Sequence, residues 1–449
     1  MTSRKAQSIE QFLSGLAENN IRYVYAGLFD QDGTWRGKKI PFPQFSEFAL
    51  KGWSFIDALP WWGPNDTVRV DKAFRSESCS FDSKSLRKYP FEADSVIVVA
   101  DYEGPSKKVS PRAMLQKQIK KAERMGFSAL GASEFEFIIL DQTASELQEE
   151  GYQKLKSYSP ENRCWSAMLP SISAELLAGY EETLRNGDIE LHHMCSELGP
   201  GCLEATMPAR SLLRAADDAA FFKMFTRAFF SREQKTASFM AQLSDDHPGL
   251  GGHPIISLQD KNSGQAVLFG SGPKPKLTRL GRCFVAGILR LIPELTALYA
   301  PNVNSYRRYA PGNWAPRTAT WGYDNYTCGL RLVASPIENA RIEFRLPGAD
   351  INPFLAFSMM LGAGLYGIEQ ELMLPPETTS IGRDKVPSDI GAVPRSLLEA
   401  AELMGQSQAA ERIFGKDFIA HSVACCIDED ERMRRHVSAF ERERYLFHV

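Results

Sequence analysis

The sequence predicts an α+β protein, in which strands and helices mix without a regular strand–helix–strand beat. Three observations carry this. Arg341-Ile-Glu-Phe-Arg345 and Glu134-Phe-Glu136 alternate charged and apolar residues with the two-residue period of a strand. Stretches near 211–242, 349–374 and 395–449 instead read as helix. Neither an internal repeat nor a low-complexity tract interrupts the 449 residues, a length for about two or three domains or one large two-part enzyme.

The elements follow in order. Ser8 is a cap for a helix over 8–19, on which Ile9, Phe12, Leu13 and Leu16 recur at helical spacing. Residues 23–29 alternate as a strand. Asp30-Gln-Asp-Gly33 is a turn signal, and the basic stretch 36–39 follows it. Residues 95–100 read as a buried strand. Gly104-Pro105 then breaks the chain before a helix from about 111 to 125. A domain boundary is therefore expected near 103–110, dividing 1–105 from 106–449. Residues 130–140 form a strand, and 211–242 are largely helical. A helix over 288–299 is kinked or restarted at Pro293. Residues 316–332 are strand-rich, 349–374 mostly helical, and 395–449 a helical C-terminal region.

Composition excludes several classes. A net charge of −3 and a pI near 6.2 give no support for nucleic-acid or anionic-membrane binding. The longest apolar run, 354–368, falls short of the ~20 residues of a membrane span and reads as a buried helix. The opening Met-Thr-Ser-Arg-Lys has no apolar signal core. Eight scattered cysteines without a CxxC pair fit reduced thiols. A cytoplasmic location is expected.

The chemistry is concentrated in charged alternations. On a strand, Arg341, Glu343 and Arg345 share one face while Ile342 and Phe344 pack on the other. That face is either a solvated, salt-bridged surface or a cleft wall. The wall would bind metal through Glu343 and anionic oxygens through the arginines. Glu134 and Glu136 likewise share a face, as an exposed edge or as a repelling pair that calls for a cation. Glu197 and Glu204 flank Gly199-Pro200-Gly201. Either a hairpin brings them together or they are surface residues beside a loop. His253, after Gly249-Leu-Gly-Gly252, is structural or joins Glu134 and Glu343 in a set suited to Mg²⁺ or Mn²⁺. No GxxxxGK(S/T) loop and no HExxH occur. Gly362-Ala-Gly-Leu-Tyr-Gly367 matches a dinucleotide fingerprint only formally, because no strand precedes it.

Taken in order, these segments resemble the glutamine synthetase family over most of the chain. The matching blocks are 29–38, Ser133-Glu-Phe-Glu-Phe137 and the Glu197–Glu204 segment (family E-x-G-P-G-Q-x-E). They continue with 249–258, Asn304-Ser-Tyr-Arg-Arg308, 341–347 with Asn352-Pro353, and the tail around 437–445. The resemblance implies an N-terminal β-grasp-like domain on a larger catalytic domain built around an antiparallel sheet funnel. It implies ring-shaped homo-oligomers with active sites between subunits. It also implies a reaction: ATP phosphorylates the γ-carboxylate of glutamate, and an amine displaces the phosphate to form an amide. By that resemblance Glu136, Glu197 and Glu204 hold one Mg²⁺ or Mn²⁺, and Glu134, His253 and Glu343 the other. Arg308 and Arg345 bind glutamate, Arg331 and Arg341 face phosphate, and Ser257 lies near the nucleotide.

The chain also departs from that pattern. Trp314 stands where ammonium-using members carry Glu. This favours an organic and bulkier, even aromatic, amine; alternatively, Trp314 packs on a loop. Asp57 is a candidate for the family's N-terminal acid near the amine. Ile255 replaces the second His of an H-x-H pair, Tyr326 an Arg that contacts phosphate, Cys202 a Gln, and Gln242 a Lys. The leading expectation is an ATP-dependent γ-glutamyl–amine ligase. The alternatives are a non-catalytic relative that binds a ligand or partner, and an ordinary ammonia-using glutamine synthetase.

Overall fold

The computed structural model describes residues 2–160, 163–272, 275–310, 312–384 and 390–448. The chain builds two sheets. The first holds β1 (Tyr23–Phe29), β2 (Trp35–Pro41), β3 (Trp53–Ile56), β4 (Ser76–Phe81), β5 (Arg87–Lys88) and β6 (Ser95–Tyr102), in the order β2-β1-β6-β4-β3 with β5 on β6. β1 and β6 are parallel neighbours. The helices Thr2–Glu18 and Phe42–Lys51 belong to this part. Leu13, Leu16 and Phe45 bury against Val24, Ala26, Val96 and Val98, giving the β-grasp-like unit its own small core. The first helix starts six residues before Ser8, so Ser8 is not its cap.

The Asp30 turn forms as its residue types require. Asp30 Oδ1 accepts from the amides of Asp32 and Thr34, and Gly33 takes a φ of +78°. The hairpin tip docks on the second part of the molecule, where Asn352 Nδ2 donates to the Gln31 carbonyl at 2.8 Å.

The second sheet comprises β7 (Phe127–Leu140), β8 (His193–Ser196), β9 (Cys202–Thr206), β10 (Arg210–Ser211), β11 (Thr236–Ser238), β12 (Gly252–Asp260), β13 (Trp321–Tyr323), β14 (Leu330–Val333) and β15 (Arg341–Phe344). Its order is β13-β14-β15-β12-β7-β9-β8, with β10 and β11 also on β7. It is antiparallel except for β13 and β14. Helices Pro111–Arg124, Leu212–Arg232, Arg279–Leu291 and Pro353–Glu369 share one hydrophobic core with it.

Several boundaries differ from expectation. The helix from 211 stops at Arg232, and 236–238 pairs with β7 as a strand. The helix expected over 288–299 instead runs Arg279–Leu291; it ends before Pro293, and a short 3₁₀ turn follows at Thr296–Leu298. The formal GxGxxG lies inside the buried helix Pro353–Glu369. A Cβ at Gly364 would sit 2.2 Å from the Phe284 ring, so that glycine serves close helix packing. Among the described residues no helix is long and apolar enough to cross a membrane.

Ion pairs cross between the two parts. Arg112, on the helix Pro111–Arg124, is buried and donates to Asp217 at 2.8 Å, and to Asp82 and Asp101 at 2.7 Å. Arg87 Nη1 donates to Asp218 Oδ1 at 2.8 Å. One guanidinium thus holds carboxylates from both sheets' elements. Arg112→Met should lower the unfolding free energy by about 3–5 kcal/mol, because it strands buried carboxylates. Urea denaturation followed by tryptophan fluorescence measures this, and a loss below about 1 kcal/mol would mean the network adds little net stability.

Candidate active site

The long strand β7 organises the site. Phe135 and Phe137 are fully buried on one face; Phe135 stacks on Phe222, and Phe137 on Phe239. Alternation then turns Glu134 and Glu136 to the other face. Pairing supplies their partners. Glu134 lies across from His253 of β12 and from Thr206 of β9, and Glu136 lies across from Glu204. Glu343 of β15 lies across from Ile255 and from Arg331. Glu134, Glu136, Glu197, Glu204, Arg331 and Arg345 all line a cavity of about 1260 Å³.

Two groups of ligand atoms come within 4.8 Å of one another among the described residues: Glu134, His253 and Glu343, and Glu134, His193 and Glu204. In the first, His253 Nδ1 is 2.9 Å from Glu134 Oε1 and 3.8 Å from Glu343 Oε1. His253 Nε2 is buried with no hydrogen-bond partner. This donor chemistry of carboxylates and one imidazole fits a hard divalent cation. The second group differs from the expected Glu136, Glu197 and Glu204. Glu136 Oε2 accepts from the Gly251 amide at 2.7 Å, and Glu197 Oε1 accepts from the Leu198 amide at 2.8 Å. Both still face the cavity.

His193 was not apparent from the sequence. Its signal is positional: it alternates with Cys195 on β8, the strand that pairs with β9, so both face the same way as Glu204 and Thr206.

The carboxylates repel one another. Burial, then Glu134, Glu136 and Glu197, push Glu204 up to about 9. Burial raises Glu197 as well. For Glu134, burial acts upward, but the bond to His253 and the charges of His253 and Arg345 hold it well below the usual carboxylate range. A divalent cation would relieve this repulsion.

The arginines divide by position. Arg331 Nη1 donates to Glu343 Oε2 at 2.8 Å, and Arg345 Nη1 pairs with Glu343 Oε1. Arg341 lines the cavity and donates to the Asn339 carbonyl. The Tyr326 ring packs against both paired guanidiniums, 3.9 Å from Arg331 and 5.2 Å from Arg345. An arginine there would repel them; an aromatic face attracts them.

Other expected residues lie elsewhere. Arg308 is buried behind the cavity and donates to the Leu346 carbonyl at 2.6 Å. It therefore braces the backbone that carries Arg345 and is not among the residues lining the cavity. Ser257 sits across from Leu130 on β12, outside the cavity lining. Asp57, in the first sheet's part, accepts from the Arg75 amide at 2.7 Å and is likewise outside that lining. Trp314 is 51% exposed at the rim and packs under Arg383. Gln242 bonds the Ser244 carbonyl at 2.8 Å and accepts from Asn313 at 3.2 Å, which anchors the loop carrying Trp314. Ile255 is buried beside Glu343, and Cys202 is buried in β9.

A sheet face that joins carboxylates, an imidazole and guanidiniums offers donors for a divalent cation beside groups that pair with anions. Comparison with known proteins names the class. The glutamine synthetase catalytic domain matches residues 108–445, and the chain belongs to that family. It is 31% identical to a glutamate–isopropylamine ligase of Pseudomonas sp, over 99% of each chain. It is 31% identical to a gamma-glutamylethanolamide synthetase of Streptomyces coelicolor, over 92% of this chain and 90% of that one. The solved structure of GmaS without ligand shares the fold: its TM-score is 0.83 at 22% identity, covering 97% of this chain and 99% of that one. Members of the family use ATP and divalent metal ions.

Two outcomes follow from the geometry. Glu204 binds its proton more tightly folded than unfolded, so it costs the metal-free fold stability as pH rises from about 4.5 toward 9. Glu204→Gln should therefore stabilise the metal-free protein by the order of 2 kcal/mol at pH 8 and by almost nothing at pH 5. Thermal melts at the two pH values test this, and equal shifts at both would contradict it. Gly251→Ala places a Cβ 2.4 Å from His253 Nε2 and 2.8 Å from Glu136 Oε1. Mn²⁺ affinity, read by calorimetry, should fall about tenfold or more with the fold retained.

Proposed function

We propose that this protein is an ATP-dependent ligase that joins the γ-carboxylate of glutamate, through γ-glutamyl phosphate, to an organic amine, with an aromatic amine a suitable substrate. The carrying observation is the cavity itself: a floor of carboxylates, imidazole and arginines under an apolar rim. Trp165, Trp314 and Ile381 line it at 72, 51 and 66% exposure. A carboxylate is a poor acyl donor until phosphorylation supplies a leaving group. Cations held by the carboxylate and imidazole sets would offset the charge that builds on the transferring phosphoryl.

The chain's own groups take distinct parts in this reading. Arg331 and Arg341 meet phosphate oxygens, and Arg345 meets a carboxylate of glutamate, for which a planar guanidinium is well shaped. Arg308 and Glu343 fix the position of Arg345. Trp314 offers the amine an apolar wall in place of an acid. An aromatic amine is largely unprotonated at neutral pH and needs little help from a base. The names of the relatives, ligases of isopropylamine and ethanolamine products, support an amine other than ammonia. We also infer that 1–105 and 106–449 are the two domains, and that copies assemble into a ring in which Asp57 meets a neighbour's cavity.

The test is ADP release with ATP, Mg²⁺, glutamate and a panel of alkylamines, ethanolamine, polyamines, anilines and ammonia. Turnover with an organic amine at a kcat/KM at least tenfold above that with ammonia is expected. Robust turnover with ammonia would restore the ordinary glutamine synthetase reading. Absence of nucleotide affinity by calorimetry would favour a non-catalytic binding protein, the reading that Ile255, Tyr326 and Gln242 motivate. Trp314→Glu should narrow the preference over ammonia about tenfold without loss of ATP binding.

A further inference from the structure

A second cavity, of about 550 Å³, lies between the two parts of the molecule. The Asp30 turn and β2 line one side of it, and the helix Leu212–Arg232 and the end of β11 line the other. It shares no lining residue with the carboxylate cavity.

This cavity carries both signs of charge. Lys223 and Arg227 stand one turn apart on the helix. Lys223 is buried, and its Nζ donates to the Ala349 and Ile351 carbonyls at 2.8 and 2.9 Å. An ammonium has three protons, so one remains to be shared. Arg227 packs over the Phe239 ring at 5.2 Å. Its guanidinium is open to the cavity yet enclosed by the walls, and that enclosure lowers its pKa with no acid acting against it. Among the described residues it has no carboxylate partner. The opposite charge is Asp32, whose Oδ1 has only a long contact to Arg69 Nη2, at 3.6 Å. Burial raises Asp32, while Arg69, Arg36 and Lys223 act downward. The other charged groups of the lining are already engaged. Arg36 pairs with Asp30 and Asp66 at 2.8 and 2.6 Å, and Asp350 Oδ2 accepts from Ser305 Oγ at 2.6 Å and Asn302 Nδ2 at 3.0 Å.

A cation without an acid and an acid without a close cation thus line one space. A simple anion there would face Asp32, and a simple amine would face Arg227; a zwitterion satisfies both. Trp35, Met224, Phe239 and Met240 supply the apolar remainder. Apolar walls with a few convergent polar groups are the usual make-up of a small-molecule site.

We propose that this cavity binds a free α-amino acid with an apolar side chain, its carboxylate meeting Arg227 and the spare Lys223 proton and its ammonium meeting Asp32. The site stands apart from the ligase chemistry and does not depend on it.

The experiment is calorimetry of the full chain with L-leucine and L-phenylalanine, without ATP or metal. One equivalent should bind with a Kd of about 1 mM or tighter, and saturating glutamate should leave that affinity unchanged. N-acetyl-L-leucine keeps the carboxylate but lacks the ammonium, and should bind about tenfold more weakly or worse. L-leucine should lose about as much on Arg227→Met and on Asp32→Asn. No binding of either amino acid overturns the proposal, and so does displacement by glutamate, which would place the ligand in the catalytic cavity. Unchanged affinity in either substituted chain also overturns it. If neither variant folds, the acetylated probe on the unsubstituted chain decides, and an affinity equal to that of L-leucine sinks the proposal.

Discussion

The register of β7 between β12 and β9 is the constraint on which the site depends. Glu134 and Glu136 can face the cavity only while Phe135 and Phe137 face the core. A slip of one residue would drive two carboxylates against Phe222 and Phe239 and expose two phenyl rings. The apolar face thus fixes the charged one. Once β7 is set, antiparallel pairing delivers His253 and Thr206 to Glu134, and Glu204 to Glu136. Glu343 arrives from β15 through β12 in the same way.

Charge is used differently in two places. Between the two sheets, Arg112 holds Asp82, Asp101 and Asp217, and Arg87 and Arg214 hold Asp218, so burial there is tolerated because every carboxylate has a guanidinium partner. In the cavity the balance is broken. Glu343 has two guanidiniums, yet Glu204 and Glu197 have carboxylate neighbours and hold their protons tightly. An imbalance kept this close to a buried core is a feature of sites that receive an ion or a substrate. Tyr326 fits the same logic. Where two arginines already converge on Glu343, a ring face is more easily accommodated than a third cation.

Much of the site was legible locally. Glu134-Phe-Glu136 and Arg341–Arg345 announce their faces by a two-residue period, and Gly199-Pro200-Gly201 announces the turn that brings Glu204 back. The choice between a solvated strand and a cavity wall was not local, because both have the same alternation. Glu343 is nearly buried and doubly paired, which decides for the wall. His193 was missed because its relevance comes from pairing across β8 and β9. Arg308 donates to the carbonyls of Arg345 and Leu346 and is not among the residues lining the cavity, a direction of its side chain that the motif alone does not state. Residues 236–238 read as helix by pattern but form a strand, since an open edge of β7 was there to pair with.

The sequence by itself determined the α+β class, the family, the alternating faces and most of the carboxylates that share the cavity. These follow from short-range periodicity and from motifs whose spacing is local. Only the tertiary structure decided which donors lie within reach of one cation, that Arg308 supports the backbone behind Arg345, and that Tyr326 lies against two guanidiniums. Those are distances between residues far apart in the chain, and they are set by sheet register and core packing, which no local segment contains.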